Sequence, residues 1–253
     1  MRFEIPVTIT NRQNPDQVAT ISMSYQGNFL ALIKHEMAAT NQLAYQELYQ
    51  KPTRKNFAMA ISFPSAHFDS KHHQIQLRPK YNASIIFTTS DTLLGVTYFN
   101  VFQNLMHSSP LNYNDDYIIH FHKPHMVKLP QIQQPTAIFK TTSPIVITNK
   151  IADRRYEMLT VDRHYQSGEF MNAIKRELKF RLQDSALQST VDQMELIPLK
   201  TKTVVMHAFN QLIIGTTGYI QIKANPALLN YIFEDGIGAK RGSFNGLLKL
   251  IRN

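Results

Sequence analysis

The 253 residues contain neither cysteine nor tryptophan. Without cysteine there can be no disulfides, thiolate metal sites or cysteine nucleophiles, and a cytoplasmic, reducing setting is the expectation. No apolar run reaches the roughly 18 residues of a membrane span, so nothing is expected to cross a membrane, and no membrane is counted among the expected partners. Met1-Arg2-Phe3-Glu4-Ile5 opens like a strand and lacks the basic and apolar regions of a signal peptide. Acidic residues are scarce, 18 against 27 Lys and Arg, which leaves a net charge of +9. That excess favours a polyanionic partner, nucleic acid first and an anionic membrane surface second, with plain solubility as the bland alternative. Glycine is scarce too: the chain has nine, and four of them fall between positions 236 and 246.

The hydrophobic share of 43% is ample for packed cores. Phe3, Ile5, Val7 and Ile9 alternate with polar residues as in a half-buried strand, and Phe29, Leu32, Ile33 and Met37 have helical spacing. A second helix is expected from about Asn41 to Gln50, followed by a basic loop Lys51-Pro52-Thr53-Arg54-Lys55. Phe57 to Phe63 reads as a strand, 74–77 with 84–88 as a hairpin, 92–106 as a helix and 117–129 as a strand. The proline-bounded, uncharged stretch Pro130–Pro135 is the best linker and divides the chain into domains 1–133 and 134–253.

In the second half, strands are expected at 136–140, 193–199, 203–209 and 212–223, with a helix from Gly168 to Gln183. That helix sets Phe170, Ile174, Leu178 and Leu182 on one stripe and Lys175, Arg176, Lys179 and Arg181 on another. Asn225-Pro226 reads as an N-cap with proline at the first helical position, and Gly236 as the stop of that short helix. From Phe244 onward the tail reads as a strand. Each half thus runs strand, helix, strands, helix, strand, an α+β order compatible with two tandem ferredoxin-like (RRM-like) domains.

Between the last helix and the last strand lie Gly236-Ile237-Gly238-Ala239-Lys240-Arg241-Gly242 and Gly246. Glycine lets backbone N–H groups approach a phosphate, and the two cations add charge-assisted grip. Placed after a helix, the pattern does not fit a P-loop or dinucleotide site. His120, His122 and His125 invite a metal reading, with His120 and His122 on one side of a strand, but no carboxylate or cysteine is placed to join them, and neither a metal nor another cofactor is expected. His72-His73 in a polar loop reads as solvent-facing, and Asp115-Asp116 as a turn.

The glycine loop resembles the signature of the CRISPR-associated RAMP superfamily, in particular the Cas-six family of repeat-RNA endoribonucleases. Gly236, Ile237, Gly238, Lys240 and Arg241 match its first part. In the second part Phe244 and Asn245 stand where a glycine and an aromatic are expected, and Gly246 remains. Thr142 to Ile147, Tyr156 to Leu182 and Thr203 to Gly218 are similar to further segments of the family's second domain. In the first half the likeness rests on Leu32-Ile33 and the two short helices through Tyr49.

The resemblance implies binding of CRISPR repeat RNA and its metal-independent cleavage by the 2′-hydroxyl, leaving a 2′,3′-cyclic phosphate (or 3′-phosphate) and a 5′-hydroxyl. Such a reaction calls for a base, an acid and cations around the phosphorane. The family places a histidine where Tyr49 stands, a tyrosine at Lys34 and a lysine at Lys55; His35 is the natural substitute base because imidazole titrates near neutrality. Gly236, Gly238, Lys240 and Arg241 would hold the RNA, helped by Lys175, Arg176 and Lys179. Other CRISPR effector subunits are further implied partners, and the chain would act as monomer or homodimer. The alternatives are an inactive member holding repeat or guide RNA in an effector complex, and a generic basic RNA-binding module.

Overall fold

The computed structural model of the protein describes residues 1–51, 55–79, 81–153 and 155–253. Pro52, Thr53 and Arg54 of the expected basic loop lie outside the described residues.

Alternation in β1 (Arg2–Asn11) buries Phe3, Ile5, Val7 and Ile9 and turns the intervening residues to the other face. Helix α1 (Gln26–Thr40) lays Phe29, Ile33 and Met37 into the same core. Asn41 then caps a short helix, Gln42–Tyr45, by accepting from the Ala44 N–H, and the chain widens into a π-helical turn over Gln46–Gln50. After β2 (Ala58–Ser62) and β3 (Ala83–Thr88) comes α2 (Thr92–Ser108), capped by Asp91 through the Leu94 N–H, and then β4 (Tyr117–Phe121). The sheet order is β2-β3-β1-β4, antiparallel throughout.

The second half repeats the plan with β5 (Thr136–Thr141), α3 (Glu169–Arg181), β6 (Glu195–Ala208), β7 (Gln211–Lys223), α4 (Pro226–Asp235) and β8 (Leu248–Arg252). Its order, β6-β7-β5-β8, is that of the first sheet. In both, the second and third strands lie on one side of the first and the fourth on the other, so these are two tandem ferredoxin-like domains. Each sheet packs its helices on one face, and each has its own core, with Phe139, Phe170, Ile174, Leu178 and Ile232 central to the second. Fully burying one such side chain contributes about 1.5–3 kcal/mol. No helix among the described residues is long and apolar enough to cross a membrane.

Several expectations need correction. Residues 74–76 and β3 do not form a hairpin: the former join Thr20–Ser22 and His67–Asp69 in a small sheet, while β3 runs between β2 and β1. The reason is burial, since β3 is covered on both faces and Gln74–Gln76 on one. The strand expected at 117–129 ends at Phe121 and resumes as His125–Met126, with Pro124, which has no N–H for the ladder, in the gap between. The runs at 193–199 and 203–209 are one strand, β6, carried past Pro198 by an irregularity in its pairing with β7. The Pro130–Pro135 stretch is tied down in the structure: Ile132 is buried, and its N–H and carbonyl both bond the Asn230 amide.

Candidate functional site

Tyr49, in the π-helical turn, gathers the first cluster. The Lys34 ammonium, from α1, lies 4.8 Å from the centroid of its ring, and the Lys55 ammonium 4.7 Å. Cations over an aromatic face are attracted by its quadrupole. The Tyr49 hydroxyl points the other way, 2.7 Å from that of Tyr98, a fully buried residue of α2. Burial pushes the Tyr49 pKa up to about 12, partly offset by that hydrogen bond. Tyr49 is therefore a neutral phenol at neutral pH with its hydroxyl engaged by Tyr98, an arrangement that sets it apart from the free base of its expected catalytic role. Burial, and after it the neighbouring charge of Lys34, lower the Lys55 pKa below the usual lysine value. His35 is exposed on α1 beside Lys34. The structure thus brings Lys34, Lys55 and Tyr49 together and leaves His35 exposed, one position along α1 from Lys34.

The glycine loop of the second domain arrives at this cluster. Asn225 caps α4 through the Ala227 N–H, Pro226 takes the first position, and Gly236 ends the helix at φ +73°. A Cβ at Gly236 would lie 2.7 Å from the Ala58 Cβ of the first domain, and one at Gly246 only 2.0 Å from the Ile237 carbonyl oxygen. These glycines are there because backbones touch, at a φ that side chains resist. The loop's amides serve the same packing: Ile237 donates to Gly246, Ala239 to Val146 and Gly246 to Pro144. Gly236 and Gly238 are both buried, so the expected open phosphate cradle is in fact a packed corner that presents the exposed Lys240.

Arg241 turns inward, contrary to the expectation that it grips RNA. It is buried, and its guanidinium donates to the carbonyls of Gly238, Asp235 and Lys55 at 3.0, 2.6 and 2.7 Å. Phe244 is not part of the last strand; it sits at φ +64° in the core of the first domain, 6.4 Å from the Phe29 ring. Asp235 accepts from the Ser90 N–H and hydroxyl at 2.6 and 2.8 Å, and Arg2 donates to the Phe233 carbonyl at 2.8 Å. The domains are thereby clasped along one edge.

On α3, Lys175 donates to the Asp192 carbonyl, Lys179 pairs with the Asp192 carboxylate at 2.6 Å, and Arg176 bonds the Asn149 side chain. Arg181 leaves the expected basic face: it is buried, paired with Glu177 and donating to the Gly236 carbonyl. His122 bonds the Thr8 hydroxyl at 2.8 Å, and burial lowers its pKa. Among the described residues no group of three His, Asp or Glu side chains is placed to hold a metal ion.

A second basic feature escaped the sequence reading. The open faces of the two sheets meet in a cleft of about 590 Å³, lined by Glu4, Ser62 and Ile86 on one side and by Lys140, Leu247 and Lys249 on the other, with Lys128 beside them. The three lysines are exposed. Lys140 and Lys249 are direct partners across β5 and β8, a like-charge pair that strand pairing disfavours. Alternation along β5 and β8 could have put each lysine on the open face, but not opposite the other.

Residues 127–250 match the sequence profile of the family described as CRISPR associated protein Cas6, C-terminal. No curated protein sequence matches the chain. Among solved structures, the chain is similar to the product of a Cas6-related gene from Pyrococcus furiosus, at TM-score 0.80 and 17% identity over 99% of this chain and 98% of that one. It is equally similar to a RAMP protein binding different RNA substrates, at TM-score 0.81 and 16% identity over the whole of both chains. A Thermus thermophilus Cas6 product complex follows, at TM-score 0.66 and 16% identity over 99% and 100%. At these identities the likeness is one of fold.

Proposed function

This chain is a Cas6-family protein, and from that premise we propose that it binds CRISPR repeat RNA and cleaves it through the 2′-hydroxyl beside the scissile phosphate. The division at 133/134 belongs to the same proposal, with the cleavage centre in the first unit and the glycine loop in the second. The observation that carries the reading is the convergence of Lys34 and Lys55 on the Tyr49 ring. The Lys34 charge acts on Lys55 and lowers its pKa, and an anion bound beside both ammonium groups relieves that repulsion.

A pentacoordinate phosphorane carries more negative charge than the phosphodiester it comes from, so preorganised cations stabilise it more than the ground state. Lys34 and Lys55 fill that part. The lowered pKa of Lys55 also makes its ammonium the better proton donor to the departing 5′-oxygen. His35, exposed and next in sequence to Lys34, would take the proton of the 2′-hydroxyl. Tyr49 is the platform for the two lysines. The products would be a 2′,3′-cyclic phosphate and a 5′-hydroxyl, and the reaction would need no metal.

RNA binding would run over Lys240, Arg176 and the flanking Lys175 and Lys179, and through the cleft at Lys128, Lys140 and Lys249. Gly236 and Gly238 shape the corner that presents Lys240. Cleavage of repeat RNA by Lys34→Ala, Lys55→Ala and His35→Ala variants tests the reading, with each expected to slow it while binding persists.

The engagement of the Tyr49 hydroxyl with Tyr98 favours a second reading, a family member that holds repeat or guide RNA within an effector complex without cutting it. Tight binding with intact RNA would select it.

A further inference from the structure

Arg241 is the motif residue whose position departs furthest from its expected use. A guanidinium at the surface would be free to meet phosphate, yet this one is 6% exposed and shares three donors among three carbonyls. Two of those carbonyls, Asp235 and Gly238, belong to its own corner. The third is Lys55, 186 positions away in the other domain. Glu177 lies 3.8 Å from the Arg241 Nη2 and 2.8 Å from the Arg181 Nε, so one carboxylate balances two buried cations. The neighbouring Gly242 makes the approach possible: a Cβ there would lie 3.1 Å from the Lys55 Cδ and 2.9 Å from the Phe57 Cζ. The corner thus touches the Lys55 backbone through Arg241 and the Lys55 stem through the bare face of Gly242.

We propose that Arg241 is a positioning residue for Lys55: it fixes the Lys55 carbonyl to the glycine corner and thereby holds the ammonium over the Tyr49 ring. This rests on the reading that Lys55 belongs to the cleavage centre. Its consequence is that the second domain acts on cleavage without supplying a group to the reacting atoms. A planar guanidinium is suited to this, since its rigid fork reaches three acceptors at fixed angles where an ammonium on a flexible stem does not. Charge alone therefore does not substitute for it.

The test is a double-mutant cycle on the full chain. Arg241→Lys, Lys55→Ala and the double variant are compared with the parent protein for single-turnover cleavage of repeat RNA and for RNA affinity. Arg241→Lys is expected to slow cleavage by up to about 100-fold, the scale of a misplaced catalytic group, with affinity unchanged. On the Lys55→Ala background the same change is expected to cost nothing further, because the group it positions is gone. Gly242→Ala is the second variant should Arg241→Lys fail to fold; it crowds the Lys55 stem while leaving the Arg241 charge in place, and the same pattern is expected. Additive losses, or a loss of affinity matching the loss of rate, overturn the proposal while the nuclease reading stands. A parent protein that binds repeat RNA and does not cut it overturns the reading and the proposal with it.

Discussion

The hydroxyls of Tyr49 and Tyr98 lie 2.7 Å apart, bonded to each other beneath a ring that two lysines cover. A tyrosine used this way contributes its ring to the site and its oxygen to the core. Tyr49→Phe keeps the ring and removes the bond, so cleavage should continue at close to the parent rate. Stability should fall by about 1–3 kcal/mol, because Tyr98 is left with a buried, unpaired hydroxyl. Tyr49→Ala removes the platform and should lose most of the activity. Urea unfolding beside single-turnover rates separates the two effects.

The lysine pair makes a pH prediction. Burial and the Lys34 charge both lower the Lys55 pKa, so the ammonium is lost at a lower pH than in a free lysine. An ammonium that donates a proton acts below its pKa, and the rate should fall as pH rises through it. Lys34→Ala removes one of the two lowering causes, so the Lys55 pKa rises. The alkaline limb of the rate profile should then move to higher pH even as the maximal rate drops. An unmoved limb would show that Lys55 is not the titrating group.

Lys140 and Lys249 face each other across β5 and β8, so neutralising either has opposite effects on binding and folding. Lys140→Ala or Lys249→Ala should weaken RNA binding across sequences and reduce the salt slope of log K by about one. The free protein should become slightly more stable in low salt, because a like-charge pair is relieved. Filter binding over a salt series and thermal melts check the two signs.

How much of this was legible in the chain depends on the range of the interaction. Period-two alternation in Phe3–Ile9, the helical stripe of α3, and the Asn225-Pro226 start and Gly236 stop of α4 are local, and the structure carries them as read. The ferredoxin-like order followed from them. Pairings across domains left no local mark. Nothing in Lys240-Arg241 says that one side chain faces solvent and the other a distant carbonyl, and nothing in Phe244 says that it leaves its own domain. The glycines signalled close approach, but whether to a phosphate or to protein backbone is decided by what packs against them.

Phe244 gives that point a stability test. It is 2% exposed, in the core of the domain that its own chain segment does not build. Phe244→Ala should cost about 3–5 kcal/mol, and the loss should appear in the first domain's unfolding as well as the second's. Hydrogen exchange at amides around Phe29 and Tyr113, whose rings lie 5.6 Å apart in that core, is the direct measure.

The central claim is that this chain cuts repeat RNA with the RNA's own 2′-hydroxyl, between lysines gathered on Tyr49. End-labelled CRISPR repeat RNA incubated with the protein in EDTA tests it, alongside the same RNA carrying a single 2′-deoxy residue before the cut. The account predicts one cut ending in a 2′,3′-cyclic phosphate, abolished by the deoxy substitution and unaffected by the chelator. Intact RNA in a tight complex, or a cut that survives loss of the 2′-hydroxyl, would contradict it.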